Sequence, residues 1–151
     1  MNATNKSSET LSAQERAALK ERAAELKVSA RRAGKAEKAA AELNDVIEKI
    51  AEMPDSDRVL AERVHKLVLD AAPELAPKLW YGQPAYAKDG KVVCFFRSGL
   101  MDKSRYSVFG FNEEAKLDAD GGLWATSFAI TSELSESAAA ELSALVKQAV
   151  A

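Results

Sequence analysis

The feature that most constrains the fold is the position of the aromatic residues. All ten of them (two Trp, three Tyr and five Phe) lie between Trp80 and Phe128 in a chain of 151 residues. A buried aromatic side chain covers about 150–250 Å² of surface, so it dominates the core in which it packs. We therefore predict that the packed centre is built from the middle of the chain. The segment before Trp80 is expected to cover that centre or to lie outside it.

Charge divides the aromatic-free N-terminal half into two segments. Residues 1–40 hold nine Lys and Arg against five Glu, whereas residues 41–57 hold six acids against one Lys. This change places the predicted domain boundary near residue 40. We expect residues 1–40 to form a polar tail, disordered over residues 1–10, followed by a basic helical arm, and residues 41–151 to form the folded domain.

Apolar residues recur at helical spacing before residue 80. Ser12 and Glu15 form a capping box, in which the serine accepts from the glutamate amide, and Gly34 interrupts the pattern further on. The predicted helices run from Ser12 to about Ala33, over about 41–53, and from Asp55 or Ser56 to about Ala71, with a turn or short helical piece between Pro73 and Pro77.

From Trp80 onwards the pattern is typical of strands. The pair Asp89-Gly90 predicts a hairpin with a two-residue turn, because glycine accepts positive φ without steric cost. The predicted strands are Ala85–Lys88, Lys91–Arg97, Arg105–Phe111 and Leu123–Ile130, before a final helix capped by Ser135. Short connections favour antiparallel pairing. The predicted fold is therefore an α+β two-layer sandwich: an antiparallel sheet of about four or more strands, covered on one face by helices, with an N-terminal helical arm.

Several classes of protein are excluded by what the sequence lacks. No apolar run approaches the roughly 18–20 residues of a membrane span, and no apolar segment follows the polar N-terminus, so we predict neither a membrane protein nor a signal peptide. The single Cys94 forms no internal disulfide and gives no metal-type spacing. A reduced, cytoplasmic setting is therefore expected.

No set of residues indicates catalysis, so we predict a non-enzymatic protein. Cys94 lies in a predicted strand and is expected to be a buried core residue rather than a nucleophile. Glu62 and His65 have the i,i+3 spacing of one half of a di-iron motif, but such a site needs a second motif and the chain has one histidine. His65 is expected at the edge of its helix's apolar stripe.

Two surfaces are candidate binding sites. Asp45, Glu48 and Glu52 fall along one helix face with Asp55 nearby, and hard cations prefer such oxygen ligands, although a solvated face is the simpler interpretation. The second is an apolar pocket with phenol hydroxyls at its rim, for which core packing is the alternative. Its candidate residues are Trp80, Tyr81, Pro84, Tyr86, Phe96 and Tyr106.

A third surface, the basic stretch from Lys27 to Lys38, favours contact with phosphates. It has no interleaved aromatic residue on which a base would stack. Nucleic acid is therefore the weakest of the candidate partners, after a small ligand, a metal or a protein.

The segment Trp80-Tyr81-Gly82-Gln83-Pro84-Ala85-Tyr86, with the Asp89-Gly90 turn and the strand after it, resembles the YdhG-like domain family. The similarity covers about residues 45–150. It implies a frataxin-like sandwich of helices on an antiparallel sheet. Some members of the family are described as intracellular iron chaperones that bind iron weakly through surface carboxylates. By location, Asp45, Glu48, Glu52 and Asp55 match that role, whereas the chain lacks the histidine that many members have near Lys103-Ser104-Arg105.

The leading hypothesis from the sequence is therefore a non-enzymatic cytoplasmic binding protein that handles weakly bound iron. The alternative is a metal-free module that binds a small ligand or a protein at an aromatic pocket near Trp80, Pro84 and Tyr86.

Overall fold

The structure, a computed structural model, describes residues 12–31 and 34–151. These residues form four helices and one five-stranded sheet, which confirms the predicted α+β fold. In chain order the elements are α1 (Ala13–Arg31), α2 (Lys35–Ala51), α3 (Asp55–Ala71), β1 (Ala76–Trp80), β2 (Gln83–Lys88), β3 (Lys91–Arg97), β4 (Ser107–Phe111), β5 (Ser127–Ile130) and α4 (Glu136–Val150). The predicted disordered tail lies outside the described residues.

The sheet is an antiparallel meander with the strand order β1-β2-β3-β4-β5. Its first two turns, Tyr81-Gly82 and Asp89-Gly90, each consist of two residues with positive φ. This geometry matches the twist of the flanking strands in a two-residue hairpin. The predicted hairpin at Asp89-Gly90 is confirmed, and the Tyr81-Gly82 turn is an additional one of the same kind.

Strand β1 is not anticipated by the sequence pattern. The predicted turn after Pro73 is present, with the Leu75 amide donating to the Ala72 carbonyl oxygen at 3.0 Å, but it is shorter than predicted because β1 begins at Ala76 and includes Pro77. Proline is tolerated in an edge strand, where its missing N–H need not contribute to the ladder, and β1 pairs only with β2. The last two strands also begin later than predicted, at Ser107 and Ser127.

Two helices begin at the serine caps that the sequence predicts. Ser12 Oγ accepts a hydrogen bond from the Glu15 amide at 3.0 Å, and Ser135 Oγ accepts one from the Ala138 amide at 3.1 Å. Each bond satisfies one of the amide groups that a helix leaves unpaired at its N-terminus. Within the described residues, no helix is both long and apolar enough to cross a membrane.

Helix α2 begins at Lys35, directly after Gly34, which has φ 82°. The start predicted near residue 41 is therefore six residues late. The break that the sequence predicts around Gly34 separates α1 from α2. The change of charge near residue 40 consequently lies inside α2 rather than between two elements.

The hydrophobic core lies between helices α2, α3 and α4 and one face of the sheet, which we call the inner face. Five side chains of β2, β3 and β4 lie on the inner face: Tyr86, Cys94, Phe96, Phe109 and Phe111. They are at most 6% exposed, and the register pairs Tyr86 with Cys94 and Phe96 with Phe109. The helices cover them with aliphatic side chains, chiefly Val46, Val64, Val68, Leu142 and Val146. The core is thus centred on the aromatic strands.

The opposite face of the sheet, which we call the outer face, carries Trp80, Gln83, Phe95, Arg97 and Val108. Cross-strand pairs share a face, and Trp80 pairs with Gln83 while Arg97 pairs with Val108. None of these five side chains is fully buried. This face is therefore the side of the sheet on which a ligand can reach large side chains.

Candidate functional site

The six predicted pocket residues do not line one cavity. Pro84, Tyr86 and Phe96 are fully buried, and the last two lie in the core on the inner face. Trp80 lies on the outer face, and Tyr81 follows it in the turn before β2. Tyr106 is exposed before β4. The aromatic residues around this turn are therefore divided between the core and the outer surface.

Trp80 and Tyr81 instead line a groove of about 590 Å³ between α1 and the outer face, which we call the outer groove. Helix α1 forms one wall, including Ala18 and the half-exposed Leu19. The remaining wall and the floor come from the sheet and from the connection between β3 and β4. Those contributing residues are Trp80, Tyr81, Gln83, Phe95, Arg97 and Asp102.

The floor of the outer groove is aromatic because a glycine makes room for it. The rings of Trp80 and Phe95 lie 5.4 Å apart with their planes at 49°. Phe95 pairs across the strands with Gly110, and a Cβ atom at Gly110 would lie 2.3 Å from Phe95 Cζ. Any side chain at Gly110 would displace the ring. The pair Phe95 and Gly110 therefore sets the depth of the groove.

Helix α1 is held to the domain mainly through polar contacts. Gln14 Nε2 donates to the Asp102 carbonyl oxygen at 3.1 Å, and the Gly82 amide donates to Glu25 Oε2 at 3.2 Å. None of the side chains described for residues 13–28 is fully buried, and Leu26 is 53% exposed. Elements with little buried apolar surface open at low free-energy cost. The α1 wall is therefore the part of the groove best suited to move.

The burial of the Glu25 carboxyl group in this contact is only partly compensated by hydrogen bonds. Burial raises the pKa of its carboxyl above the ordinary value of 4.5, since desolvation disfavours the charged form. Its Oε1 atom is buried and has no hydrogen-bond partner among the described residues. The backbone can approach so closely because Gly82 lacks a side chain: a Cβ there would lie 1.9 Å from Glu21 Oε2.

The other wall of the groove includes part of the connection between β3 and β4, residues 98–106, which we call the β3–β4 loop. A buried network holds its first residues. Asp57, in the first turn of α3, accepts hydrogen bonds from Ser98 Oγ and from the Leu100 amide, the latter at 2.9 Å. Gln83 Oε1 accepts from the Ser98 amide at 3.2 Å, and Ser107 Oγ accepts from the Gly99 amide at 3.0 Å.

This loop carries charged groups to the end of the outer groove. Arg97 Nε donates to Asp102 Oδ2, and the Arg105 guanidinium lies 5.2 Å from the centre of the Tyr106 ring. A second cavity, of about 490 Å³, lies beside the loop and includes Ser104 and both arginines in its lining; we call it the loop cavity. Arg97 and Asp102 line both cavities, so the outer groove and the loop cavity meet at this ion pair.

The sequence does not indicate four of the residues that form or support the groove. They are Gln83, Arg97, Asp102 and Asp57. The available signal was length, since nine residues separate β3 from β4 whereas two-residue turns join the first three strands. Binding residues are disproportionately found on loops, but length does not single out this loop, because the connection between β4 and β5 is longer. The buried partner Asp57 carries no such signal because it lies some 40 residues earlier, in a helix.

His65 and Cys94 lie away from the outer groove. His65 Nδ1 is 2.9 Å from the hydroxyl of Tyr86 on the inner face, and burial lowers the pKa of the histidine and raises that of the tyrosine. Burial also raises the pKa of Cys94 to about 12, so its thiol is protonated at neutral pH. Glu62 is paired with Arg58 at 3.5 Å. These residues form core and helix-surface contacts.

The four predicted carboxylate ligands lie around the C-terminal part of α2 and the start of α3. Asp45 is half-buried and lines a cavity of about 330 Å³ between α1, α2 and β1. Glu48 accepts from Asn44 Nδ2 at 3.2 Å, Glu52 is exposed at the end of α2, and Asp55 pairs with Arg58 at 3.5 Å. Across residues 12–31 and 34–151, no group of three or more His, Cys, Asp or Glu side chains is arranged to hold a metal ion.

Comparison of the chain with models of protein families, with curated proteins and with solved structures gives no match.

Proposed function

We propose that the protein is a non-enzymatic binding protein and that its ligand occupies the outer groove. The proposal is based on two features of the groove. Trp80 and Phe95 give it an aromatic floor, and the polar β3–β4 loop at its end is held in place by buried hydrogen bonds. Binding sites of this kind are concave and mostly apolar, with a few fixed polar groups that orient the ligand. The histidine and the cysteine, which would offer a base and a nucleophile, lie on the other side of the sheet.

The rigidity of the β3–β4 loop supports this function. Asp57, Ser98 and Ser107 are each no more than 7% exposed, although all three are polar. Burying polar groups costs free energy unless each is hydrogen-bonded. The hydrogen bonds fix the positions of the first residues of the loop. A fixed support of this kind suits a binding site, because loosely supported sites lose affinity.

The weak attachment of α1 provides the route by which a ligand enters. Its contacts to the domain include the Lys49–Glu21 ion pair at 3.5 Å and the Arg22 guanidinium at 5.9 Å from the Tyr81 ring centre. Contacts of these kinds contribute on the order of 1 kcal/mol each where one partner is open to solvent, as Glu21 is. Outward movement of α1 would widen the groove without disturbing the core.

A pair of alanine substitutions tests the proposal. Ala18 lines the outer groove, whereas its neighbour Ala17 is exposed and does not. A fragment library of small aromatic compounds is screened by ligand-observed NMR, with EDTA present, against the parent protein, Ala18→Phe and Ala17→Phe. We expect compounds that bind the parent and the Ala17→Phe variant but no longer bind Ala18→Phe, because the added ring fills the groove.

Two results would contradict the proposal. The first is a library that yields no binder for the parent protein. The second is a set of binders that respond equally to both substitutions, which would place the site elsewhere. Far-ultraviolet circular dichroism of each variant verifies that the helices remain folded.

Iron handling and membership of the YdhG-like family, which the resemblance implies, stay predictions. Ferrous iron is titrated anaerobically at neutral pH into the parent protein and into a variant with Asp45→Asn, Glu48→Gln and Glu52→Gln. A saturable signal in the parent that the triple variant lacks would support iron binding at these carboxylates. Unchanged binding in the variant, or no saturable binding at all, would remove it.

A further inference from the structure

The β3–β4 loop and the strand residue before it form a basic end to the outer groove. Between Arg97 and Arg105 the sequence holds one acid, Asp102, and a third cation, Lys103. Arg97 and Arg105 both line the loop cavity, and Ser104 adds a hydroxyl. The charge at this end is therefore positive, in a protein whose net charge is −2.

Both guanidinium groups keep donors available. Arg97 uses its Nε atom on Asp102, and its side chain remains 58% exposed. Arg105 is exposed and contacts the Tyr106 ring, a contact that leaves its N–H groups free of any carboxylate among the described residues. A guanidinium presents five donors in a planar fork that matches the oxygens of a carboxylate or phosphate.

The apolar and basic parts are continuous, because Arg97 and Asp102 line both cavities. We propose that the ligand is a small aromatic or apolar molecule that carries one anionic group. This inference rests on the proposed function, in which the outer groove is the binding site. The apolar body of the ligand lies over Trp80 and Phe95, and its carboxylate or phosphate group is bound by Arg97 and Arg105. Arg105 then determines the specificity for the anion.

A cationic ligand fits these observations less well. The groove contains two acids, Asp102 and Glu15. The Asp102 carboxylate already accepts a charge-assisted hydrogen bond from Arg97. Glu15 is exposed in the first turn of α1, where it also complements the positive end of the helix dipole. The Asp102 side chain is 22% exposed and that of Arg97 is 58% exposed, so Asp102 is less available to a ligand than the arginine that it pairs with.

The test compares phenyl compounds that differ only in their polar group: 3-phenylpropionate, 3-phenylpropionamide and 3-phenylpropylamine. Phenyl phosphate is measured separately to distinguish a phosphate from a carboxylate. Trp124→Phe leaves Trp80 as the one tryptophan, so its fluorescence, excited at 295 nm, where the probes do not absorb, reports on the groove floor. We expect 3-phenylpropionate or phenyl phosphate to bind at least tenfold more tightly than the amide or the amine.

Two substitutions in the same loop separate a direct contact from a general loss of charge. Arg105→Gln removes a guanidinium that lines the loop cavity, whereas Lys103→Gln removes the same charge from a side chain that lines neither cavity. Arg105→Gln should weaken binding of the anion about tenfold, the loss typical of one hydrogen bond to a charged group. Binding of the amide, which offers Arg105 only a neutral oxygen, should weaken less than binding of the anion. Lys103→Gln should alter anion binding by less than about threefold through screened charge alone.

The outcomes distinguish this inference from the proposed function. Equal binding of anion and amide, with no effect of Arg105→Gln, would overturn the anionic ligand and leave the outer groove as the site. Tighter binding of the amine would overturn it in favour of a cation. Equal losses for Lys103→Gln and Arg105→Gln would overturn the direct contact. If none of the four probes changes the Trp80 fluorescence, the inference of an anionic ligand is overturned. The fragment screen with Ala18→Phe then tests separately whether the outer groove is the binding site.

Discussion

Replacement of Asp57 by alanine tests whether the buried network holds the β3–β4 loop in place. The Asp57 carboxylate is 7% exposed and accepts two hydrogen bonds, from Ser98 Oγ and from the Leu100 amide. A hydrogen bond to a charged group contributes about 1.5–3 kcal/mol. The loss of two such bonds is partly offset because the alanine no longer buries a carboxylate. We expect Asp57→Ala to lower the free energy of unfolding by about 3 kcal/mol.

Two further variants control this measurement. Both hydrogen bonds are accepted by Asp57 Oδ2, so the side-chain oxygen of Asp57→Asn can still accept both as a neutral group. Because charge-assisted hydrogen bonds are roughly twice as strong as neutral ones, this variant should lose about half as much. Asp55→Ala removes an acid from the same turn of α3, but its side chain is 99% exposed and its pair with Arg58 spans 3.5 Å, so its effect should be small.

The assay is urea denaturation followed by circular dichroism and by tryptophan fluorescence. Coincident transitions would verify two-state unfolding, so that the free energies can be compared. If Asp57→Ala destabilises the protein no more than Asp55→Ala does, the carboxylate does not hold the loop, and the argument that the loop is a prearranged wall of the groove fails.

Three more predictions follow from single contacts. Gly110→Ala should destabilise the protein by about 1–3 kcal/mol, measured by urea denaturation, because its Cβ would displace the Phe95 ring from the groove floor; an unchanged midpoint would contradict this packing. Burial holds the pKa of His65 below 6.5, so the unfolded chain takes up the proton first and stability should fall as the pH drops below about 6.5. His65→Gln should flatten that dependence between pH 5 and 7, and an unaltered slope would refute it. Because the pKa of Glu25 is raised above 4.5 on docking of α1, the docked state takes up the proton first, and amide exchange in α1, corrected for intrinsic rates, should slow as the pH falls towards 4.5. Glu25→Gln should remove that pH dependence.

The sequence predicts best those features that local chemistry determines. The Asp89-Gly90 turn and the Ser135 cap each depend on a few adjacent residues, and both are confirmed. The confinement of the aromatic residues likewise predicts correctly that the core is centred on the sheet. The sequence does not predict β1 because Pro73 and Pro77 indicate a turn or short helical piece between them, and only its position at the sheet edge makes Pro77 acceptable in a strand.

The candidate site was harder to predict because it depends on which face each residue occupies. Trp80 and Tyr86 appear in one aromatic segment, but Trp80 shares a face with its cross-strand partner Gln83, and Tyr86, three residues further along β2, points to the opposite face. One then lies on the outer face and the other in the core. The contact of α1 with the Asp102 carbonyl joins residues 88 positions apart, which no local pattern indicates. Periodicity reports burial within one element and not the packing between elements.

The most direct test of the outer groove as the binding site is NMR mapping of 3-phenylpropionate on uniformly labelled protein. Binding there should shift the Trp80 indole N–H, the Gln83 side-chain amide and the backbone amides of Phe95 and Arg97, and should leave His65 on the far side of the sheet unchanged. Shifts confined to residues 45–55, which include the four predicted carboxylate ligands, would contradict the groove as the site. No shifts at the highest ligand concentration would contradict the anionic ligand and leave the groove to the fragment screen with Ala18→Phe.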